Sequence, residues 1–156
     1  MFTIGYQQAK PDAVLSELQR AKIDLLVDIR AVAASRRPGF SKRQLAASLD
    51  EAGIAYIHLQ KLGTPAQGRQ AARAGDLDTL WRIYDKHIKT PEAQAALGEL
   101  LALIKSGKRV CLLCYERDPN ECHRRDVYKR QLLNLPLQPK IKKAREKSRA
   151  FFITQR

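Results

Sequence analysis

The chain has 156 residues, of which 44% are hydrophobic and 29% charged, and its formal net charge at pH 7 is +13. This length fits one domain with a hydrophobic core, and no stretch is apolar for long enough to span a membrane. Three cysteines are too few for a disulfide framework, and Met1 leads directly into strand-like residues without a signal peptide. We therefore expect a cytoplasmic protein with reduced thiols.

The sequence predicts four strands, each a short, largely apolar run, at residues 2–6, 25–29, 54–59 and 109–114. Helices are predicted from their start signals at Pro11, at a capping box of Ser41 and Gln44, at Asp76, at Thr90 and after Asn120. Strands that alternate with helices predict a single α/β domain of three layers. Its sheet is expected to be mostly parallel, with four or five strands and helices on both faces.

Residues 60–75 show no clear hydrophobic period and contain Gly63, Pro65, Gly68 and Gly75. Glycine and proline at this density predict a long loop. Because loops of this length within a compact domain tend to be functional, the segment is a candidate part of a binding site.

The positive charge is concentrated at the C-terminus, so we divide the chain into an α/β domain (1–135) and a basic tail (136–156). From residue 139 onward the tail has one acid, Glu146, and seven basic residues, Lys140, Lys142, Lys143, Arg145, Lys147, Arg149 and Arg156. Such an excess favours a polyanion partner, nucleic acid first and an anionic membrane second. A solvated tail that aids solubility is the alternative.

A second basic cluster contains Arg36 and Arg37, which lie close to Phe40 and just before the helix that follows Ser41. Basic side chains around an aromatic residue at a helix start suit a phosphate backbone. The alternative is a surface loop in which Phe40 packs into the core.

Polar side chains follow the predicted strands at their carboxyl ends, and in a parallel sheet these ends share one edge where ligands bind. The residues concerned are Tyr6, Gln7, Asp28, Arg30, His58, Cys114 and Glu116. Tyr6, Gly63 and Cys114 are predicted to line the substrate pocket. Tyr6 and Tyr56 are also candidates for stacking on a base, although aromatic residues at a sheet edge more often belong to the core.

The segment 114–124 joins the last strand to a helix and carries a thiol, a carboxylate and an imidazole. Cys122 near the helix start, beside Arg124, has the surroundings that favour a nucleophilic thiolate. Glu116 and His123 are candidate acid and base, and Arg30 and Arg124 are candidate anion-binding residues. The alternative is that Cys122 packs as a small hydrophobic residue.

Asp28 and Arg30 lie two residues apart, which places both on one face of a strand. The simpler interpretation is an ion pair that orients the arginine. The other makes Asp28 a general base and Arg30 an anion clamp, and the two roles are compatible because a clamping arginine needs an orienting partner.

Metal and cofactor sites are not predicted. Cys114, Cys122, His123 and His58 are soft ligands for zinc, but their spacing matches none of the paired knuckles of structural zinc sites. Cys111 and Cys114 are three apart on one strand and so point to opposite faces. There is no glycine-rich dinucleotide fingerprint or phosphate loop, so neither a nicotinamide nor ATP is indicated.

Several spaced motifs resemble those of the domain of unknown function 488 family, over roughly residues 2–130. They include Val-Asp-Ile-Arg, Ser-Arg-Arg-Pro-Gly-Phe-Ser-Lys, Leu-Gly-Thr-Pro and Cys-Tyr-Glu-Arg-Asp-Pro-Asn-Glu-Cys-His-Arg. The resemblance implies a small prokaryotic α/β protein with signature positions Gly5, Asp28, Arg30, Pro38, Phe40, Gly63, Cys114, Glu116, Pro119, Cys122, His123 and Arg124. Family members commonly end in a further short strand, from which the lysine-rich tail departs.

Our leading hypothesis is an enzyme that acts on a nucleic-acid or other phosphorylated substrate in a crevice at the carboxyl edge of the sheet. Its predicted catalytic residues are Asp28, Glu116, Cys122 and His123, and its predicted anion-binding residues are Arg30, Arg124, Arg36 and Arg37. The alternatives are a non-catalytic nucleic-acid-binding module and a thiol-based redox protein. The sequence does not predict an oligomeric state.

Overall fold

The computed structural model describes residues 1–118, 122–124 and 126–127. Its strands are β1 (Phe2–Gly5), β2 (Leu25–Asp28), β3 (Ala55–His58) and β4 (Val110–Cys114). They form one four-stranded sheet in the order β1-β4-β2-β3, and every neighbouring pair is parallel. The predicted parallel sheet is confirmed, and the carboxyl ends of all four strands therefore lie along one edge.

Helices cover both faces of this sheet, which confirms the three-layer α/β architecture. On one face, α1 (Pro11–Arg20) and α2 (Lys42–Glu51) pack their buried leucines against a core that includes Leu26 and Leu113. On the other face, α4 (Leu77–Ile88) and α5 (Pro91–Lys105) pack against Val27 and Leu112. Neighbouring residues of β2 and β4 thus enter opposite cores, as the alternation of a strand buried on both sides requires.

The prediction of a long loop over 60–75 is wrong. The segment contains a 3₁₀ turn (Gln60–Leu62) and the helix α3 (Ala66–Arg73). Position 68 within α3 is a glycine because the helix packs closely there: a Cβ atom would stand 2.7 Å from Cγ2 of Thr64. Gly75, with φ +76°, has the left-handed conformation typical of glycine just after a helix. The glycines therefore mark a close contact and a helix end rather than a loop.

The predicted capping box before α2 is also wrong. Ser41 precedes the helix, but its hydroxyl donates to the carbonyl of Ser35 at 3.1 Å and caps no helical N–H. The Gln44 amide oxygen accepts instead from the N–H of Gly39 at 3.2 Å. Both side chains hold the preceding loop rather than the helix end. By contrast, Asp76 and Thr90 do cap α4 and α5, as predicted.

Residues 124, 126 and 127 are helical, in agreement with the start of the predicted last helix. The basic tail 136–156 lies outside the described residues. The remainder of the predicted last helix and the further strand that the family resemblance implies would also fall there. Within the described part of the chain, no helix is both long and apolar enough to cross a membrane.

Candidate active site

A cleft of about 870 Å³ opens at the carboxyl edge of the sheet. The segment after β1 contributes Tyr6 to its wall, and the long segment after β2 contributes residues 30–37. Thr64, α3 and the start of α4 close another side, and β4 with the segment after it supplies Cys114, Glu116, Cys122 and His123. The cleft lies where open parallel sheets bind their ligands.

The wall of this cleft is strongly basic. The part of the lining that the structure describes has one carboxylate, that of Glu116, and five arginines, Arg30, Arg36, Arg37, Arg69 and Arg73. Arg36 and Arg73 are exposed, whereas Arg37 and Arg69 are half-buried. Arg69 donates to the Thr64 carbonyl at 2.7 Å, and Arg37 donates to the carbonyl of Ala9. We call Arg36, Arg37, Arg69 and Arg73 the arginine wall.

Arg30 is held by Asp28, which confirms the ion-pair interpretation. The Asp28 carboxylate accepts from Nε of Arg30 at 2.8 Å and from its Nη2 at 2.6 Å, and also from the Tyr56 hydroxyl at 2.7 Å. Although burial opposes the charge, these contacts raise the pKa of Arg30. Burial and the bond to Asp28 raise the pKa of Tyr56. Asp28 is completely buried and does not line the cleft, so its position does not support a general base.

Arg30 and Arg124 are both anchored by protein acceptors. Besides its contacts with Asp28, Arg30 donates through Nη1 to the Tyr6 hydroxyl at 2.8 Å and to the carbonyl of Phe40 at 2.9 Å. Arg124 is 1% exposed, and its Nη2 donates to the carbonyl of Glu116 at 2.6 Å. Arg124 holds the segment after β4 and does not line the cleft, so its position does not support the predicted role in anion binding.

Two of the three predicted pocket residues, Tyr6 and Gly63, differ in whether they line the cleft. Tyr6 lines the cleft but is 3% exposed, because its ring stacks on Phe40 with a centroid distance of 4.3 Å. Phe40 is thus a core residue, which was the alternative interpretation. Gly63 does not line the cleft. A Cβ atom on it would lie 2.1 Å from the backbone nitrogen of Ala31, so glycine there permits two backbone segments to touch.

We call Cys114, Glu116, Cys122 and His123, which line the cleft together, the floor of the cleft. His123 has a fixed orientation there. Its Nε2 is 3.1 Å from the carbonyl oxygen of Ile29, which can only accept, so Nε2 carries a hydrogen. In the neutral ring Nδ1 is then the acceptor and the Thr64 hydroxyl donates to it at 3.1 Å, whereas in the imidazolium Nδ1 donates to the Thr64 oxygen. The sulfurs of Cys114 and Cys122 each lie 3.8 Å from the same Nδ1. Two thiols and an imidazole therefore meet at one point.

Cys122 has the surroundings of a thiolate. It is 1% exposed but lines the cleft, and its sulfur accepts from the backbone N–H of Arg124 at 3.5 Å, at the start of the last helix. Burial alone would raise the pKa of Cys122. The neighbouring thiol of Cys114, the imidazolium of His123 and the charge of Arg124 outweigh burial, so the pKa of Cys122 falls well below the usual value.

The neighbouring groups shift in the opposite direction. Burial, the neighbouring thiolate of Cys122 and the charge of Glu116 raise the pKa of Cys114 well above its usual value. Burial and the charge of Cys122 raise the pKa of Glu116, whose carboxylate accepts from Cys114 at 3.1 Å. For His123, burial lowers the pKa, but the thiolate of Cys122 and the bond to Ile29 raise it overall. The pKa of Cys122 is thus lowered at the point where the pKa values of its three neighbours are raised.

Cys114, Cys122 and His123 also have ligand atoms within 4.8 Å of one another, so they are the described residues that could hold a metal. Two features oppose a ready-made site. The Nδ1 atom of His123 already contacts the Thr64 hydroxyl, and the Cys114 sulfur lies 3.8 and 4.0 Å from the two ring nitrogens, nearly equidistant and so along the lone pair of neither. His58, the fourth suggested ligand, contacts the Arg30 carbonyl at 2.8 Å instead.

Several residues of the site were not identified from the sequence: Thr64, Arg69, Arg73 and Tyr115. Arg69 and Arg73 are four apart, a spacing that places them on one helix face, but the interpretation of their segment as a loop hid it. Thr64 lies in the Leu-Gly-Thr-Pro motif, and Tyr115 lies within the Cys-Tyr-Glu-Arg motif. Nothing local indicates that Thr64 bonds a histidine 59 residues away.

Comparison with known proteins identifies a family without assigning an activity. A family model described as "Domain of unknown function DUF488" matches residues 10–131, so the chain belongs to that family. No curated protein and no solved structure gave a match to the chain.

Proposed function

We propose that this member of the DUF488 family is an enzyme that acts on a nucleic-acid or other phosphorylated substrate, with Cys122 as its nucleophile. One observation carries the proposal: a single cleft joins the arginine wall to a floor where Cys122, His123 and Glu116 meet. A cation-rich entrance suits binding of an anion, and the floor offers nucleophilic and acid–base groups.

The arginine wall supports a phosphorylated substrate because its charge is not cancelled within the cleft. Among the described residues of the lining, Glu116 supplies the one carboxylate, whereas the charge of Arg30 is already balanced by Asp28. Arginine side chains carry a permanent charge and can donate two parallel hydrogen bonds to phosphate oxygens. The wall would therefore hold the phosphate and orient the reacting centre toward the floor.

The floor supports nucleophilic catalysis. In the proposed reaction the thiolate of Cys122 forms a bond to the electrophilic centre of the substrate while the bond to the leaving group breaks, and the leaving group takes a proton from Glu116. Water then cleaves the bond to sulfur, which restores the thiolate, and the proton that water loses returns to Glu116. His123 stays beside the sulfur, held by the carbonyl of Ile29 through Nε2. A carboxyl group whose pKa is raised by burial suits the role of general acid, and the backbone N–H of Arg124 stabilises the thiolate before attack.

The catalytic part is tested with a panel of nucleotides, oligonucleotides and sugar phosphates, each incubated with the full chain and resolved by chromatography. We expect turnover of at least one compound, a loss of about 10²-fold or more in Glu116→Gln, and no turnover in Cys122→Ser. The matched control is Cys111→Ala, because Cys111 is fully buried in the core on the other face of β4. Unchanged turnover in Cys122→Ser would refute the nucleophile.

The binding part is tested separately by titration of the same compounds into variants of the arginine wall. Arg36→Ala and Arg73→Ala should weaken binding and reduce its salt dependence, since each removes a cation that lines the cleft. Arg20→Ala is the control. It removes the same charge from an exposed position on α1 outside the cleft. Equal effects of all three changes would mean that net charge, and not the cleft, determines binding.

A non-catalytic nucleic-acid-binding module remains a second candidate because of the basic sequence from residue 139 to the end. In that case replacing Lys140, Lys142 and Lys143 by glutamine should abolish binding of nucleic acid, whereas Arg73→Ala and Glu116→Gln should leave it nearly unchanged. The enzyme proposal expects the opposite dependence for the substrate that is turned over.

A further inference from the structure

The large hydrophobic side chains that are most exposed in the described part of the chain all lie at the cleft. They are Val32, Tyr115 and Leu77, which are 51%, 43% and 42% exposed. Such residues are costly to leave in water and usually mark a binding surface when they cluster. The entrance of the cleft is therefore apolar as well as basic, and a bare phosphate would use only half of it.

Tyr115 is the outermost member of an aromatic cluster that extends from the core into the cleft. Phe40 and Tyr6 are stacked, with centroids 4.3 Å apart and an interplanar angle of 16°. Tyr6 meets the Tyr115 ring edge to face, at 5.4 Å and 87°. The backbone of Tyr115 is also fixed, because its carbonyl accepts from the N–H of Gln7 at 2.8 Å. Tyr115 thus offers a supported ring rather than a mobile side chain.

Arginines pack on the same cluster. The guanidinium carbon of Arg30 lies 5.1 Å from the centroid of the Tyr6 ring, and that of Arg37 lies 6.0 Å from the centroid of Phe40. The aromatic rings therefore place planar and cationic groups side by side along one wall. Aromatic platforms next to basic side chains are the arrangement that binds unpaired nucleotides.

We propose that Tyr115, together with Val32 and Leu77, binds the base of a nucleoside phosphate whose phosphate group lies on the arginine wall. The inference rests on the proposed function and names its substrate class. The nucleotide is either free or part of a single strand, since both present an unpaired base. A sugar phosphate would use the arginine wall alone, and a duplex would keep its bases stacked inside.

The test compares adenosine 5′-monophosphate with ribose 5-phosphate, which lacks the base, by calorimetric titration into the full chain. We expect the nucleotide to bind about tenfold more tightly. Tyr115→Ala should remove that difference without changing the affinity for ribose 5-phosphate, and Tyr115→Phe should preserve it. Equal affinity of the wild-type protein for the two ligands would overturn the inference, as would an equal loss for both in Tyr115→Ala.

The outcomes separate this inference from the proposed function. If ribose 5-phosphate binds and adenosine 5′-monophosphate binds with the same affinity, the base site alone is refuted. If neither ligand nor any single strand binds, the anion-binding cleft fails as well, and the base site fails with it. A short single strand that binds more tightly than the free nucleotide, with the same dependence on Tyr115, would identify nucleic acid as the source of the base.

A spectroscopic measurement keeps the inference testable if Tyr115→Ala does not fold. The fluorescence of 2-aminopurine falls when the base stacks on an aromatic ring, so the 2-aminopurine riboside monophosphate should be quenched as wild-type protein is added. Tyr115→Phe should quench it equally. Binding of this nucleotide without any change in its fluorescence would overturn the base site.

Discussion

Replacing Asp28 by asparagine removes the negative charge that balances the buried guanidinium of Arg30. The amide oxygen can still accept from the backbone N–H and Nε of Arg30, as Oδ1 does now at 3.0 and 2.8 Å. The amide nitrogen would replace Oδ2, which accepts from Nη2 of Arg30 and from the Tyr56 hydroxyl. The amide nitrogen would then face two donors, Nη2 of Arg30 and the Tyr56 hydroxyl, and the buried guanidinium would lose the negative charge that balances it. We expect a loss of about 3–5 kcal/mol in the free energy of unfolding.

This loss is measurable by urea denaturation followed by circular dichroism. With a slope of about 2 kcal/mol per molar urea, the midpoint should fall by roughly 2 M without a change in slope. Glu17→Gln is the control, because the Glu17–Arg20 pair lies at the surface and its loss should cost about 0.5 kcal/mol or less. A midpoint for Asp28→Asn close to that of the wild type would refute the structural role. If that stable variant were also inactive, the general-base hypothesis would regain support.

Gly63→Ala should lower the free energy of unfolding by about 2–3 kcal/mol, because the new methyl group would lie 2.1 Å from the Ala31 nitrogen. Gly98→Ala, in open space within α5, should raise it by about 0.5–1 kcal/mol, and urea denaturation of both variants checks the pair. Iodoacetamide should label Cys122 before Cys111 in the native protein, since burial raises the pKa of Cys111 to about 12. Peptide mass spectrometry identifies the labelled site, and early labelling of Cys111 would contradict this order.

The sheet was predictable from the sequence because its information is local. The runs that became β2 and β4 are short and almost entirely apolar, and alternation with helices implies parallel pairing. The Asp28–Arg30 pair was also predictable, since it needs only strand geometry. The helix α3 was missed because its stability comes from packing: Gly68 approaches Thr64 and faces Leu80 of α4 across the same contact.

The site was predictable in its members but not in their roles. The Cys-Tyr-Glu-Arg to Cys-His-Arg segment indicated a reactive turn, and the structure does gather Cys114, Cys122 and His123. A sequence shows that Arg124 is charged, but not that it will be buried against backbone carbonyls. Which arginine meets a protein acceptor and which meets the cleft depends on tertiary contacts.

The difference between the paired, buried Arg30 and the four residues of the arginine wall explains how the cleft can be both stable and basic. Burying a charge is costly unless it is paired, and Arg30 is paired with Asp28 and hydrogen bonded to Tyr6 and Phe40. Its contribution is therefore to fix the aromatic cluster that supports the cleft. The arginine wall is exposed or half-buried, so water stabilises its charge until a ligand arrives. In the proposed function, anion binding by the wall would therefore require little strain in the free protein, and the floor would keep its arrangement when the anion binds.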